Sequence, residues 1–249
     1  MKNIVTKSVI LLFCMILSVS AVMAKSNYTY TQGSQYNPQA QDFSDTTEKV
    51  LFIIDFSNSM NEPLTTRKSK LDIALDTMYS ILPRLNPKTY VGLRVYGHNA
   101  GFTPFASCRS SQLVSPIAPN NTGNIAHQLG RISAVGWTPI TYSLKQAINN
   151  DFAGFTGQNH IIVLSDGGEY CDESPCKYIV EVMKYRDDIK IDVIAFDISD
   201  MEANNQLKCV SLVTSGKFYN AQTASELIDS MEKSLNMQKN VSGQIIIKE

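Results

Sequence analysis

Four short stretches of this chain are apolar at nearly every position: VLFII at 50–54, YVGLRVYG at 90–97, HIIVLSD at 160–166 and IDVIAFDI at 191–198. A strand with no polar face has to be covered on both sides. Between these stretches stand segments whose apolar residues recur three and four apart. KLDIALDTMYSILPRL at 70–85 sets Leu71, Leu75, Met78, Leu82 and Leu85 on one helical face. PITYSLKQAINNDF at 139–152 opens a helix on Pro139. CKYIVEVMKYR at 176–186, NNQLKCVSLVTSG at 204–216 (closed by Gly216) and ASELIDSMEKSLNMQ at 224–238 complete the helical set. Doubly buried strands alternating with helices specify an α/β chain: a doubly wound, mainly parallel central sheet flanked by helices on both faces. SQLVSPIA at 111–118 adds a strand that Pro116 confines to an edge, the one expected to run antiparallel, and KFYNA at 217–221 adds a short one. Ligands of such sheets bind beyond the carboxyl ends of the strands, where the strand order reverses. That directs attention to Asp55 and Asp166, each of which closes an apolar strand.

The first residues stand apart from this pattern. Lys2 and Lys7 precede the apolar run SVILLFCMILSVSAV, and the small-residue exit Val22-Met23-Ala24 follows. This is the layout of a secretory signal peptide over 1–24, and a secreted or periplasmic location is the expectation. Residues 25–48 are polar, with no apolar period, and read as a flexible lead-in. The domain is expected over 49–238 and a tail over 239–249. Without the signal peptide 20 basic residues face 23 acidic ones, a net charge of −3. Neither nucleic acid nor a membrane surface is suggested by that balance, and no transmembrane segment is expected in the mature chain. Cys108, Cys171, Cys176 and Cys209 remain, an even number for an oxidising compartment, so two disulfides are expected. The short loop CDESPC favours Cys171–Cys176, which leaves Cys108–Cys209; Cys176–Cys209 would instead join two neighbouring helices.

Three pieces of sequence converge on the carboxyl edge. DFSNS at 55–59 has the pattern D-x-S-x-S, GWTPI carries Thr138 just before a helix, and LSDGG carries Asp166. Together Asp55, Ser57, Ser59, Thr138 and Asp166 offer two carboxylates and three hydroxyls. These hard oxygen ligands suit Mg²⁺, or alternatively Mn²⁺ or Ca²⁺. Each piece has a plainer reading taken singly: Thr138 as a helix cap, Asp166 as a turn residue before two glycines. Their order and placement on the same edge favour a metal site.

With these residues the chain resembles the von Willebrand factor A domain with a metal-ion-dependent adhesion site, in its bacterial secreted form. The resemblance spans about 49–238 and is supported by VGLRVYGH, SDGGEYCDESPC and TSGKFYNA. It implies a Rossmann-like fold. It also implies that Ser57, Ser59 and Thr138 ligate the cation directly, while Asp55 and Asp166 act directly or through water. One departure is Asn58, where glycine is frequent; asparagine is suited to a left-handed backbone there. Neutral hydroxyls leave the cation electrophilic, so a protein partner is expected to supply an Asp or Glu side chain. Specificity would then fall to loops 61–68, 99–110 and 169–176, and the resemblance adds a last helix that shifts on occupancy.

Other chemistry is less well supported. His98, His127 and His160 lack ligand spacing, Ser230-x-x-Lys233 lies in an amphipathic helix, and SGK at 215–217 lacks a phosphate-loop glycine. Phosphoryl transfer of the haloacid dehalogenase kind needs a second Asp where Ser57 stands. The alternative function is a metal-dependent hydrolase acting on a phosphoryl or carbonyl group. No nucleophile–base pair is visible, so a non-enzymatic binding module is the expectation. Glu169, Asp197 and Asp200 read as loop acids near the site, and Trp137 as either a rim contact or a core residue.

Overall fold

The strand β1, Lys49–Asp55, is buried at all seven positions. It sits in the middle of the sheet, paired in parallel with β2, Tyr90–Tyr96, on one side and with β4, Asn159–Ser165, on the other. The computed structural model describes residues 48–171 and 173–237; the expected signal peptide, the lead-in apart from Glu48, and the tail over 239–249 lie outside the described residues. β4 pairs in parallel with β5, Ile189–Phe196, and β5 with β6, Phe218–Ala221. β3, Ser111–Ala118, runs antiparallel to β2 at the opposite edge. The order is therefore β3-β2-β1-β4-β5-β6, a doubly wound sheet that reverses between β1 and β4. Pro116 falls where the β2–β3 register shifts, a place that needs no ladder donor.

Two apolar layers follow from the alternation of side chains along β1. Val50, Phe52 and Ile54 pack under helices α1, Lys70–Ile81, α3, Thr122–Leu129, and α7, Ala224–Ser234. Leu51 and Ile53 pack under α4, Ile140–Gln146, α5, Pro175–Val182, and α6, Met201–Val213. The remaining helix, α2, Pro104–Ser107, is one turn on the loop between β2 and β3. α1 starts at a capping box: Ser69 accepts from the Asp72 N–H at 3.1 Å, and the Asp72 carboxylate accepts from the Ser69 N–H at 2.9 Å.

Helix ends depart from the periodicity in instructive ways. The helix expected over 139–152 is α up to Gln146 and then a π turn, Ala147–Asp151, with Pro139 as its N-cap residue. α6 begins three residues earlier than the apolar pattern, because Asp200 accepts from the Ala203 N–H at 2.6 Å. Its other end is not closed by Gly216. Ser215 takes the left-handed conformation (φ 57°), and the Gly216 N–H returns to the Ser211 carbonyl at 2.8 Å. Glycine is required at 216 for a different reason: a Cβ there would meet the Ile191 carbonyl oxygen at 1.9 Å.

The disulfides correct the sequence expectation. They join Cys108 to Cys171 and Cys176 to Cys209, not Cys171 to Cys176. Ser174 caps α5 and Pro175 opens it, so Cys176 lies in the first helical turn, facing α6, while Cys171 stays on the loop beside α2. The crosslinks close loops of 63 and 33 residues. Replacing Cys176 and Cys209 together by Ala is expected to cost about 3–4 kcal/mol in denaturant unfolding, from the entropy returned to the unfolded chain. Non-reducing peptide mapping should recover the 108–171 and 176–209 pairs.

A buried carboxylate holds the end of α7 to the sheet. Asp192 on β5 is fully buried. It accepts from the Ser234 hydroxyl at 2.7 Å and the Lys217 N–H at 2.8 Å, with the His160 ring 3.3 Å away. Burial pushes this carboxyl up, but the His160 imidazole, the Ser234 hydroxyl and the Lys217 N–H outweigh it and hold the group at about 2. A folded-state value below the usual 3.8 contributes stability that is present above that pH and is lost as pH falls towards 2. Unfolding measured at pH 6 and at pH 2 should show wild type losing roughly 2 kcal/mol more than Asp192→Asn. An equal loss in both proteins contradicts the assignment.

Candidate metal centre

β1 ends by delivering Asp55 to the reversal point of the sheet, and the chain then turns through a 3₁₀ segment, Asn58–Asn61. Asn58 has no left-handed backbone in this turn, so the glycine common in the related motif is not needed for that purpose. Close packing does require glycine at the end of β2. Gly97 has φ +73°, and a Cβ on it would meet the Ser57 nitrogen at 2.5 Å. The Gly97 carbonyl accepts from Gly136 at 2.6 Å, and the Gly136 carbonyl accepts from Asn58 at 2.9 Å. These contacts bring the β2 end, the D-x-S-x-S turn and the loop before α4 together.

Four of the five expected ligands form one hydrogen-bonded chain. Asp55 accepts from the Ser57 N–H at 2.7 Å on one oxygen. Its other oxygen accepts from the Tyr96 hydroxyl at 2.9 Å and the Ser165 hydroxyl at 2.7 Å. The Ser57 and Ser59 hydroxyls lie 3.0 Å apart, and Ser59 donates to Asp166 at 2.8 Å. Thr138 reaches the cluster through its backbone. Gly136, two residues before it, pairs with Ser57, and the Thr138 carbonyl accepts from the Tyr170 N–H at 3.2 Å. Its hydroxyl makes no hydrogen bond to the other four side chains.

A lysine that the sequence did not single out completes the arrangement. Lys70 is the first residue of α1, and its side chain is nearly buried. Its ammonium lies 3.1 Å from Asp166, 3.0 Å from Glu62 and 3.4 Å from Asp197. Burial alone would pull Lys70 down, yet Glu62 and Asp166 prevail and raise it. Asp55 is pushed up to about 6, first by burial and then by the charge of Asp166, against the hydrogen bonds it accepts. Asp166 is also raised by burial, with Ser59 and Lys70 opposing. Glu169 turns inward, accepting from the Thr141 N–H at 2.7 Å and the Cys171 N–H at 3.0 Å. Asp200 caps α6 and Asp197 is tied to Lys70, so the expected loop acids each have a structural partner. Trp137 is a rim residue, part exposed and packed edge-on against Tyr170.

The donor set fits a small hard cation. Among the described residues no group of three His, Cys, Asp or Glu side chains is placed to hold a metal, and all four cysteines described are in disulfides. The oxygens at this edge are two carboxylates and neutral hydroxyls in mutual contact, which is the chemistry of Mg²⁺ and Mn²⁺. Two carboxylates that burial raises, one of them raised further by the charge of the other, gain from a divalent charge placed between them.

A doubly wound domain with this edge falls in a recognised class. The von Willebrand factor type A domain profile matches residues 49–233, and the chain belongs to that family. It is 28% identical over 200 residues to the uncharacterized protein YwmD of Bacillus subtilis (strain 168), covering 78% of this chain and 87% of that protein. Among solved structures, a von Willebrand factor type A protein from Catenulispora acidiphila superposes with a TM-score of 0.58 at 16% identity, over 76% of this chain and 42% of that one. Proximal thread matrix protein 1 from the mussel byssus, solved with a zinc-occupied MIDAS motif, gives 0.56 at 16% identity, over 75% of this chain and 44% of that one. At these identities the superpositions establish the fold alone. Among the described residues no helix is long and apolar enough to cross a membrane.

Proposed function

We propose that this chain is a binding module of an oxidising, extracytoplasmic compartment that engages a protein partner through a divalent cation at its carboxyl edge. The observation that carries this reading is the oxygen chain Ser57–Ser59–Asp166, set beside Asp55 at the strand reversal. Bound there, the cation would supply a Lewis-acidic point for an acidic side chain of the partner. Asp55 and Asp166 would hold it and formally balance its charge, while Ser57, Ser59 and Thr138, being neutral, would leave it able to take one further acidic ligand. Tyr96 and Ser165 fix the Asp55 carboxylate in place. The byssus protein carries zinc in its motif; the all-oxygen set of this chain favours Mg²⁺ or Mn²⁺. Binding without catalysis is the reading adopted: Asp55, Asp166 and Glu169 are each engaged by donors of the fold itself. The two disulfides agree with the oxidising compartment.

The test is affinity capture on the immobilised domain with Mg²⁺ and with chelator, repeated with Thr138→Ala. The expected result is a partner lost on chelation, restored by Mg²⁺, and held at least about tenfold more weakly by Thr138→Ala. Retention unchanged by both treatments contradicts the reading.

A further inference from the structure

The rim of the candidate centre carries large apolar side chains that the core does not use. Trp137 and Tyr170 pack edge to face at 5.5 Å and 82°, and the Tyr170 N–H is bonded to the Thr138 carbonyl, so the pair is seated on a proposed ligand. The next residue, Cys171, is crosslinked to Cys108. Beside Cys108, the Arg109 guanidinium lies 4.2 Å over the ring of Phe105 and 5.3 Å from that of Tyr142. Tyr170 and Phe105 are 69% and 68% exposed. The disulfide thus ties the ring pair Trp137–Tyr170 to the cation–π pair Arg109–Phe105, a ridge drawn from three loops.

Resting on the metal-dependent reading above, we propose that this ridge is the specificity surface of the module, and that its occupant is an extended protein segment with an acidic residue flanked by large apolar side chains. Trp, Tyr and Arg are the residue types that dominate binding energy at protein interfaces, and exposed aromatics gathered at a site mark contact surface. A ridge held in place by covalent and ring contacts loses little side-chain entropy on binding. Charge selects the acidic occupant. Several carboxylates around the centre are drawn to partners within the fold: Glu62, Asp166 and Asp197 gather on Lys70, Glu169 accepts two backbone N–H groups, and Glu173 pairs with Lys145. A cation at the centre and Arg109 on the ridge would supply the positive charge that attracts an acidic partner. The acidic side chain goes to the cation, and its apolar neighbours lie across Trp137 and Tyr170 towards Phe105.

The experiment is selection of short random displayed peptides on the disulfide-intact protein in Mg²⁺. It is followed by affinity measurements of the selected peptides with Trp137→Ala, Tyr170→Ala, Asp55→Asn and the control Tyr185→Ala. Tyr185 is as exposed as Phe105 but lies just beyond α5. The expected peptides place Asp or Glu beside aromatic or long aliphatic residues. Trp137→Ala and Tyr170→Ala should each weaken them about tenfold or more, leaving Mn²⁺ affinity and thermal unfolding as in wild type, while Tyr185→Ala changes nothing. Peptides indifferent to both ridge substitutions, an absence of binders, basic selected sequences, self-association through the ridge, or ridge-dependent binding to lipid vesicles in place of peptides would each overturn the proposal. If the ridge substitutions abolish binding while Asp55→Asn does not, the ridge stands and the metal reading fails. If only Asp55→Asn abolishes it, the reverse holds.

Discussion

Lys70→Met is expected to make the folded protein depend on a divalent cation. In the wild type the ammonium of Lys70 is shared by Asp166, Glu62 and Asp197 at 3.0–3.4 Å. Removing it strands the buried Asp166 carboxylate, and breaking a buried pair in this way costs about 3–5 kcal/mol. Without metal the variant should therefore unfold at much lower denaturant than wild type. The same substitution removes a positive charge that shares a carboxylate with the incoming cation. Like charges at such a site repel by a few kcal/mol at an effective dielectric near 20. After side-chain rearrangement, about tenfold tighter Mn²⁺ binding is a conservative expectation. Saturating Mn²⁺ should then restore most of the lost stability, because a ligand that binds only the folded state stabilises it by mass action. Lys70→Arg keeps the charge and should behave like wild type. Weaker Mn²⁺ binding by Lys70→Met would mean that the lysine orients Asp166 rather than competing for it.

Asp55→Asn should do the opposite: remove cation binding and leave a more stable protein. The carboxylate is fully buried, and burial together with Asp166 pushes it up to about 6, so its ionised form is held at neutral pH against the preference of the fold. An amide of the same shape still accepts from the Ser57 N–H, and Tyr96 and Ser165 can turn their hydroxyls to accept from it. Relief of the buried charge is expected to add roughly 1–2 kcal/mol in chelator, seen as a higher unfolding midpoint. A loss of stability would show Asp55 to be a structural residue first.

What the sequence displayed and what it hid separate along physical lines. The apolar runs fixed the strands because burial on two faces leaves no other reading, and the order-reversal rule pointed at Asp55 and Asp166 before any geometry was known. Pro116 marked the edge strand correctly, since a missing donor is a local property. Lys70 stayed hidden because its partner Asp166 is 96 residues away, and a lysine at a helix start reads as a solvated charge. One signal was available: a cation at a helix N-terminus opposes the helix dipole and so invites the question of what holds it there. The α3 helix, TGNIAHQL, was missed because only Ile125 and Leu129 of its residues are buried and apolar. The disulfide pairing could not be read from loop length, since the direction of Cys176 is set by the Ser174 cap and Pro175, and its partner is supplied by packing of α5 on α6. Inward-turned Glu169 and buried Asp192 show the same limit, because whether a carboxylate is solvated depends on neighbours brought from distant elements.

The most direct measurement is calorimetric titration of Mn²⁺ into the purified, disulfide-intact protein, wild type beside Asp55→Asn, with folding of each confirmed by circular dichroism. A single site in the wild type, displaced by Mg²⁺ and absent from a folded Asp55→Asn, is the predicted result. The same Mn²⁺ affinity in both proteins would place the cation elsewhere and contradict the assignment of this edge as the metal centre.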